Sequence, residues 1–441
     1  MATFLFCLPA LGGHIQPTLP VLRALSGRGH RVLVYGDRGI RPDVLGAGAL
    51  HCPPVAWLDP VAEAERALAT GSRWRAPSPR ASWAFVRGGI VGDARALVAD
   101  VRAVVLREKP DVLVGDTMLP AAGMVAELTS LPWASIATTP ALGFAVQPRF
   151  GHGFAPPGIV GALAGPVIAR GMRRGLEANR FRHMVGLPPR AGNTFAQGIS
   201  PLLHLWPATP RFLGPSRLRA LPGNHHAVGP LVGDLQRPVP PEVTRLLRSS
   251  ARPLIVIGSS TSGHLHRTTE GSAYLRCAIA AVAELEVRAL VTLGNAEAPG
   301  ASWAHGENTV ITGFVPHGAV LPEASLCVSH GGWGTVGRCL AAGVPSIVVP
   351  LVNDEPFIAA RLAEMQMGEQ IPVEQLNPGA LQEAIRAALA NEDMILRVRL
   401  ESEAIRRMAP ADTVAGLLEE LAHTGQPVMR REGKPGGGDG D

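Results

Sequence analysis

The chain has 441 residues, a length that suits two domains better than one hydrophobic core. With 46% hydrophobic and 17% charged residues it has the composition of a folded globular protein, which excludes an intrinsically disordered chain. Its 41 basic and 36 acidic residues leave a net charge of +5, an excess too diffuse to indicate nucleic-acid binding.

The cysteines and the apolar segments favour a cytoplasmic protein without a metal site. The five cysteines are scattered, with no CxxC motif and no histidine at metal-ligand spacing. The apolar run from Thr3 to Leu11 lacks a basic leader and is predicted to be a strand rather than a secretory signal. No apolar run approaches the roughly 20 residues that a membrane-spanning helix needs.

The chain opens with the pattern of a βαβ unit. Residues 3–9 and 31–35 are apolar runs, and the segment from Pro17 to Arg28 between them has leucines at helical spacing. His14 follows two glycines on the loop after the first run, where parallel sheets bind ligands at the carboxyl ends of their strands. The alternative interpretation of His14 is a structural histidine.

A carboxylate is predicted at the same edge of the sheet. A helix is predicted from Asp93 to Lys109, and the apolar run 112–115 that follows ends at Asp116. Asp116 therefore also lies at the carboxyl end of a strand. A neutral histidine oriented by a carboxylate is a general base near pH 7.

Two segments of the first half have more than one interpretation. The aromatic residues between Leu50 and Val91 either cover the edge of the core or form the wall of an apolar pocket. Residues 140–182 combine glycine-rich apolar sequence with arginines, which fits an ordinary connection, a mobile lid or a shallow membrane contact. The aromatic residues predicted to bind an apolar acceptor are Trp57, Trp83, Phe85, Phe144 and Phe150.

The proline- and glycine-rich stretch 216–241 is predicted to link two βα-repeating domains. We expect an amino-terminal domain at 1–215 and a carboxy-terminal domain at 242–408, with a cleft between them. Residues 409–425 are predicted to form a last helix that packs back on the amino-terminal domain. The tail 430–441 contains three successive glycines and is predicted to be disordered.

The most informative motif is Ser-His-Gly-Gly-Trp-Gly-Thr at 329–335. It is predicted to end a strand and to open a helix, which directs backbone N–H groups and the positive end of the helix dipole at one point. His330 would add a charged donor and Thr335 a hydroxyl. Loops 258–261 and 314–317 also follow strands, so the three loops together are expected to hold a diphosphate and a planar base.

These residues resemble the nucleotide-sugar-dependent glycosyltransferases of the GT-B fold, in particular the family 1 branch of bacterial macrolide and polyketide biosynthesis. The resemblance spans nearly the whole chain and is most specific from Phe314 to Gly368. It implies an α/β protein with two doubly wound Rossmann-like domains that face each other across a cleft. The implied reaction is inverting transfer of a hexose or deoxyhexose from a dTDP- or UDP-sugar to a hydroxyl of an apolar acceptor, without a metal or another cofactor.

The resemblance also implies a role for each motif residue. His14 corresponds to the catalytic base, and Asp116 corresponds to the carboxylate that orients it. The positions implied for the donor are Gly258, Ser259, His330, Gly332, Gly334 and Thr335 at the diphosphate, Val315 and His317 at the base, and Asp354 and Glu355 at the sugar.

Two positions depart from the family pattern. Many members have a glutamate that binds the ribose hydroxyls where this chain has Arg338, which cannot accept those hydrogen bonds. A thymidine diphosphate donor is therefore as compatible with the sequence as a uridine one. Glu355 stands where glucose-using members commonly have glutamine, which favours a sugar rich in hydroxyl or amino donors, or a deoxysugar.

The sequence leaves two other functions open. One is a glycolipid or carotenoid glycosyltransferase that uses region 140–182 as a peripheral membrane contact. The other is a catalytically silent helper that keeps the fold and binds a partner enzyme. The expected partners are a nucleoside diphosphate sugar and an apolar small molecule, with no nucleic acid, and the expected assembly is a monomer or a homodimer.

Overall fold

The structure is a computed structural model. The residues that it describes are 1–9, 12–57, 93–141, 176–192, 194–234, 237–259, 269–294, 306–351 and 354–431. The predictions for Trp83, Phe85, Phe144 and Phe150, and for most of the tail 430–441, fall outside these ranges.

Two parallel β-sheets form the centres of the two halves of the chain. The strands are β1 (Thr3–Cys7), β2 (Arg31–Tyr35), β3 (Leu50–Cys52), β4 (Val112–Asp116), β5 (Trp133–Ile136), β6 (Leu203–Trp206), β7 (His225–Ala227), β8 (Leu254–Gly258), β9 (Arg288–Thr292), β10 (Thr309–Thr312), β11 (Leu326–Ser329), β12 (Ser346–Val348) and β13 (Gly368–Gln370). The first sheet has the order β3-β2-β1-β4-β5-β6-β7 and the second has the order β10-β9-β8-β11-β12-β13. All strand pairs are parallel. The predicted architecture of two doubly wound α/β domains is therefore confirmed.

Helices cover both faces of each sheet. They are α1 (Gly12–Gly27), α2 (Arg41–Gly46), α3 (Ala94–Glu108), α4 (Ala121–Thr129), α5 (Leu176–Met184), α6 (Thr194–Gln197), α7 (Pro210–Leu213), α8 (Pro215–Ala220), α9 (Pro241–Arg248), α10 (Thr269–Ala283), α11 (His317–Val320), α12 (Trp333–Ala342), α13 (Glu355–Glu364), α14 (Pro378–Ala390), α15 (Glu392–Met408) and α16 (Pro410–Thr424). Within the described ranges, no helix is both long and apolar enough to cross a lipid bilayer.

The strand order reverses once in each sheet, between β1 and β4 and between β8 and β11. Ligands of doubly wound sheets bind in the crevice outside such a reversal, at the carboxyl ends of the strands. The central strands are continuous apolar runs because helices bury both of their faces, and β4 is buried along its whole length. The four loops that follow these four strands are therefore the first place to look for a functional site.

The first helix begins earlier than the sequence pattern predicts. It starts at Gly12 rather than at Pro17, so His14 lies in its first turn and not in a loop. The prediction rested on the helical spacing of the leucines after Pro17, whereas Pro17 and Pro20 both lie inside the helix. The hydroxyl of Thr18 donates to the carbonyl of His14 over 2.9 Å.

One strand lies in the stretch predicted to be a linker. β7 pairs with β6 and is the edge of the first sheet. It has three residues between prolines and glycines, too few to produce a recognisable period in the sequence. We therefore propose that the first domain extends to Ala227 and that the connection between the domains is shorter than 216–241.

An apolar core shared by the two halves joins them near residues 206–213. Phe212 lies against Trp333 with ring centroids 4.8 Å apart. The other buried members of this core are Ala137, Trp206, Ala208 and Leu213 from the first half, and Val336, Leu340, Val348, Ile358, Ala359, Leu362, Met365, Met367, Val398 and Ile405 from the second. Arg361 also donates to the carbonyl of Phe212 over 2.8 Å.

The last helix, α16, crosses back to the first half of the chain. Its buried side chains Val414, Leu418 and Leu421 belong to the hydrophobic core of the first sheet. Arg28 at the end of α1 donates to Asp412 over 2.9 Å and to Glu419 over 2.8 Å. The helix therefore fixes the carboxy-terminal part of the chain to the first sheet.

Candidate active site

His14 and Asp116 meet at the strand-order reversal of the first sheet. Nδ1 of His14 lies 2.7 Å from Oδ2 of Asp116. The two side chains meet because β1 and β4 are adjacent parallel strands, His14 follows the first, and Asp116 is the last residue of the second. The structure therefore places the two residues predicted at this edge in contact.

The surroundings of Asp116 determine which nitrogen of His14 faces a substrate. Oδ1 of Asp116 accepts the N–H of Met118 over 2.7 Å, and its carboxylate is fully buried. Because Oδ2 is an acceptor, the neutral imidazole carries its proton on Nδ1 and presents a lone pair on Nε2. The His14 side chain remains 14% exposed, so a substrate hydroxyl can reach that lone pair.

The loop between β11 and α12 needs glycine at two adjacent positions. Gly331 has a φ of +97°, and a Cβ there would lie 2.5 Å from the side chain of Val348. A Cβ on Gly332 would lie 2.6 Å from Nε2 of His330. The loop therefore presents backbone and the His330 side chain at the amino end of α12, which has ten residues.

Unpartnered polar atoms concentrate at the two strand-order reversals. Among the described residues, five buried side-chain polar atoms have no hydrogen-bond partner, and three of them are Oγ of Ser259, Nδ1 of His330 and Nε2 of Gln16. Ser259 follows β8, His330 follows β11 and Gln16 lies in α1. Buried polar groups in folded proteins are nearly always paired, so these three atoms are expected to bind a ligand.

His330 is neutral, which corrects the prediction of a charged donor. Burial lowers its pKa to about 4, although a contact with the Gly258 backbone acts in the opposite direction. Its Nε2 lies 3.8 Å from Oε1 of Glu355, beyond hydrogen-bond distance. His330 can therefore offer a ligand one neutral N–H donor but no positive charge.

The residues predicted to hold the base follow β10. Val315 is buried, and Nε2 of His317 lies 3.1 Å from the hydroxyl of Thr292. Burial lowers the pKa of His317 to about 4, with a smaller contribution from the positive charge of Arg338. His317 is consequently neutral at pH 7, as suits contact with a planar heterocycle.

A cleft connects these loops with α1. Its lining from the second half consists of Ser259, Thr292, Gly294, Phe314, Val315, His317, Gly334, Thr335 and Arg338. From the first half it receives Gly13, Gln16 and Pro17, and from the connection Asp234. The structure thus brings five of the predicted donor-binding residues to one cleft between the two halves. Within the described ranges, no group of three or more histidine, cysteine, aspartate or glutamate side chains is arranged to hold a metal ion.

Comparison with known proteins agrees with this geometry. Residues 276–421 match the family described as "Erythromycin biosynthesis protein CIII-like, C-terminal domain". The chain is 29% identical to 4'-demethylrebeccamycin synthase of Lentzea aerocolonigenes over 93% of this chain and 97% of the relative. The chain is a nucleoside diphosphate sugar-dependent glycosyltransferase with the GT-B fold.

Two further proteins are similar to this chain, one in sequence and one in its solved structure. The glycosyltransferase is 27% identical to zeaxanthin glucosyltransferase of Pantoea ananas over 73% of this chain and 74% of the relative. It is also similar to the crystal structure of the glycosyltransferase VinC in complex with dTDP, with a TM-score of 0.66 at 18% identity over 96% of this chain and 99% of VinC. The similarity to VinC shows the GT-B fold over 96% of the chain.

The two carboxylates predicted at the donor sugar are already bonded to protein groups. Asp354 accepts a hydrogen bond from the hydroxyl of Thr139, which belongs to the first half. Burial raises the pKa of Asp354, while the Thr139 hydroxyl and the charge of His14 act in the opposite direction. Oε2 of Glu355 accepts the N–H of Leu351 over 2.7 Å, and the side chain is buried. A sugar hydroxyl at Asp354 would therefore compete with Thr139.

Trp57 lies in the hydrophobic core rather than in an acceptor pocket, which corrects its predicted role. Its side chain is 2% exposed, and its ring centroid is 6.1 Å from that of Tyr35. The buried carboxylate of Asp100 accepts the N–H groups of Val55, Ala56 and Trp57 over 2.8 to 2.9 Å and fixes this segment. The segment around Trp57 has no regular apolar pattern, so the sequence does not indicate whether the side chain faces the core or a pocket.

Arg338 has partners that the sequence did not reveal. Its guanidinium donates to Gln16 over 2.6 Å, to Asp234 over 3.2 Å, to the carbonyl of Gly334 over 2.5 Å and to the carbonyl of Gly233. The family pattern indicated that Arg338 is unusual. It did not indicate Asp234 as a partner, because an isolated aspartate among prolines and glycines belongs to no recognisable motif. The position of Gln16 two residues after His14 was the only indication for that residue.

Proposed function

We propose that the glycosyltransferase transfers a hexose or deoxyhexose from a dTDP- or UDP-sugar to a hydroxyl of an apolar natural-product acceptor, with inversion at the anomeric carbon. The observation that carries this proposal is the 2.7 Å contact between His14 and Asp116. His14 follows directly after Gly13, which lines the donor cleft. The pair therefore stands where a base must act on an acceptor hydroxyl beside a bound donor.

His14 acts as the general base in this mechanism. Its Nε2 accepts the proton of the acceptor hydroxyl while the oxygen attacks the anomeric carbon. The bond between that carbon and the diphosphate oxygen breaks, and the nucleoside diphosphate leaves with the electron pair. Attack from the face opposite the leaving group inverts the anomeric centre. Asp116 stabilises the imidazolium that forms, because its carboxylate is held at 2.7 Å from Nδ1.

The second half binds the leaving group. The unpartnered Oγ of Ser259 and the N–H of neutral His330 are donors for diphosphate oxygens. The backbone from Gly332 through Gly334 to Thr335 adds N–H groups at the amino end of α12, where the helix dipole favours negative charge. Charge that develops on the diphosphate is therefore stabilised mainly by oriented dipoles.

The donor nucleoside and its sugar are assigned to neighbouring parts of the cleft. Val315 and His317 hold the base, while Asp354 and Glu355 bind sugar hydroxyls. The complex of VinC with dTDP supports a thymidine nucleotide, as does Arg338, whose guanidinium has no acceptor atom for a ribose hydroxyl. We assign the acceptor to the first domain, residues 1–227, and the donor to the second.

Two measurements test the proposal. A thermal-shift panel of thymidine, uridine and guanosine diphosphates and their sugars identifies the donor, and NMR coupling constants of the product give its anomeric configuration. Retention of configuration would contradict the one-step mechanism.

A variant tests the base directly. His14→Ala is expected to lower kcat by about 10²-fold or more with unchanged nucleotide affinity, the usual effect of losing a general base. His30→Ala is the matched control, because His30 bonds to Glu419 of α16 and is not among the residues that line the donor cleft. Unchanged turnover of His14→Ala would remove His14 from the mechanism.

A carotenoid or glycolipid acceptor at a membrane is the second candidate. The similarity to zeaxanthin glucosyltransferase favours it. Co-sedimentation of the full chain with vesicles containing anionic lipid distinguishes the two, since a soluble polyketide-like acceptor requires no vesicle binding. Transfer from a labelled donor by the isolated protein would exclude the silent-helper alternative.

A further inference from the structure

Asp234 occupies the part of the cleft wall between the base side and the diphosphate side. Oδ2 of Asp234 accepts the N–H of Gly318 over 2.8 Å, and Gly318 directly follows His317. Oδ1 accepts from Nε of Arg338 over 3.2 Å, and Arg338 in turn donates to the carbonyl of Gly334. One oxygen of this carboxylate is thus hydrogen-bonded to the base side of the cleft. The other oxygen is linked through Arg338 to the diphosphate side.

The approach of Asp234 to Gly318 is possible only because residue 318 is glycine. A Cβ at this position would lie 2.1 Å from Oδ2 of Asp234. The carboxylate of Asp234 is therefore held close to the backbone at the start of α11, and it lines the cleft together with Val315, His317 and Thr335.

Arg338 lines the cleft but has little capacity left for a nucleotide, because protein groups use most of its donors. A guanidinium has five N–H donors. Four hydrogen bonds from Arg338 go to Asp234, Gln16, Gly334 and Gly233. Its side chain is only 8% exposed, compared with 27% for Asp234. Of the two charged groups on this wall, Asp234 is the one that a ligand can reach.

Asp234 also retains the capacity to accept further hydrogen bonds. An ionised carboxylate accepts about four hydrogen bonds, and the structure gives it two, one on each oxygen. In a nucleoside diphosphate the pentose lies between the base and the diphosphate, and its 3'-hydroxyl is a donor that ribose and deoxyribose share. The free acceptor sites of Asp234 therefore lie where the 3'-hydroxyl of a bound nucleotide is expected.

We propose that Asp234 binds the 3'-hydroxyl of the donor nucleotide and so selects donors with an intact pentose. This inference rests on the proposed function, since it assumes that the cleft binds the donor nucleotide. A residue of the connection between the domains thus takes the role of ribose acceptor, and the donor pocket is complete only when that connection is in place. Binding through the 3'-hydroxyl alone is compatible with both dTDP and UDP.

Calorimetry on the full chain with dTDP and with 3'-deoxythymidine diphosphate tests the proposal. The wild-type protein is expected to bind the 3'-deoxy analogue about 10-fold or more weakly, as for the loss of a hydrogen bond to a charged group. Asp234→Asn is expected to bind dTDP more weakly and to discriminate between the two ligands by less than about 3-fold. Asp412→Asn is the matched control, because Asp412 pairs with Arg28 on the surface and should leave the discrimination unchanged.

Gly318→Ala provides a second variant, because the added Cβ would displace the carboxylate of Asp234 while keeping its charge. It should reduce the discrimination in the same way as Asp234→Asn. Equal affinity of the wild-type protein for both ligands would overturn the proposal and leave the proposed function intact. Discrimination that persists in both variants would also overturn it. Absence of binding by every nucleoside diphosphate would instead overturn the proposed function, and this inference with it.

Discussion

Replacement of Asp116 by asparagine should invert the roles of the two nitrogens of His14. In the wild-type protein Oδ1 of Asp116 accepts the N–H of Met118 over 2.7 Å, and Oδ2 faces Nδ1 of His14 at 2.7 Å. In Asp116→Asn the Met118 N–H holds the amide oxygen, so the amide NH₂ group faces His14. Nδ1 must then accept a hydrogen bond, which places the proton on Nε2 and removes the lone pair that receives the substrate proton.

The expected loss follows from the removal of general-base catalysis. Such catalysis contributes about 10²- to 10⁴-fold, which corresponds to about 2.7 to 5.4 kcal/mol of activation free energy. The fold should be unaffected, because asparagine has the shape of aspartate and keeps an acceptor for Met118. Nucleotide affinity should also be unaffected, since Asp116 is not among the residues that line the donor cleft.

The assay compares initial rates with a series of phenolic acceptors of decreasing pKa at saturating donor. An acidic phenol is already ionised and does not need a base, so the defect of Asp116→Asn should shrink as the acceptor becomes more acidic. Asp111→Asn is the control, because Asp111 directly precedes β4, at the end opposite Asp116, and accepts the N–H of Thr3 over 2.7 Å. A defect that is the same for every phenol, or a kcat within about 3-fold of wild type, would refute this role of Asp116.

Two predictions concern stability. Burial lowers the pKa of both His225 and His330 to about 4. The unfolded chain therefore binds more protons than the folded one between about pH 6.5 and pH 4. Each histidine should remove up to about 1.4 kcal/mol of folding free energy per pH unit as the pH falls through that range. Urea unfolding at pH 7, 6 and 5 measures this, and a flat profile would contradict it. Asp100→Ala removes the acceptor of the N–H groups of residues 55–57, of which that of Trp57 is buried, and should cost about 3 kcal/mol. Asp412→Ala on the surface should cost less than about 1 kcal/mol. Thermal denaturation with equal Tm values for the two variants would refute the structural role of Asp100.

The sequence predicted the parts of the fold that depend on local pattern. The four central strands are continuous apolar runs, and each is followed by a turn with glycine or a polar residue, so their existence and their functional edge could be inferred. The helix predicted from Asp93 to Lys109 is present as α3, and Asp93 caps it through its side chain. The short strand β7 and the early start of α1 could not be inferred, because Pro17 and the surrounding prolines and glycines give the opposite local signal.

The site was predictable where it follows strand ends and not where it depends on packing between the halves. His14, Ser259 and His330 are each fixed by a position just after a central strand. The partners of Arg338 come from α1, the connection and its own helix, and no local pattern brings these together. The charge of His330 was predicted wrongly because its pKa depends on burial, which the sequence did not reveal.

The contact between Phe212 and Trp333 bears on how such enzymes can be recombined. Donor specificity is an attractive target for chimaeras, and the proline-rich stretch 216–241 is the obvious crossover point. A crossover there would inherit Phe212 from one parent and Trp333 from the other, so the two faces of the shared core would no longer be matched in shape. A crossover placed before residue 206 would keep every member of that core except Ala137 in one parental sequence and is the better choice for exchanging donor specificity.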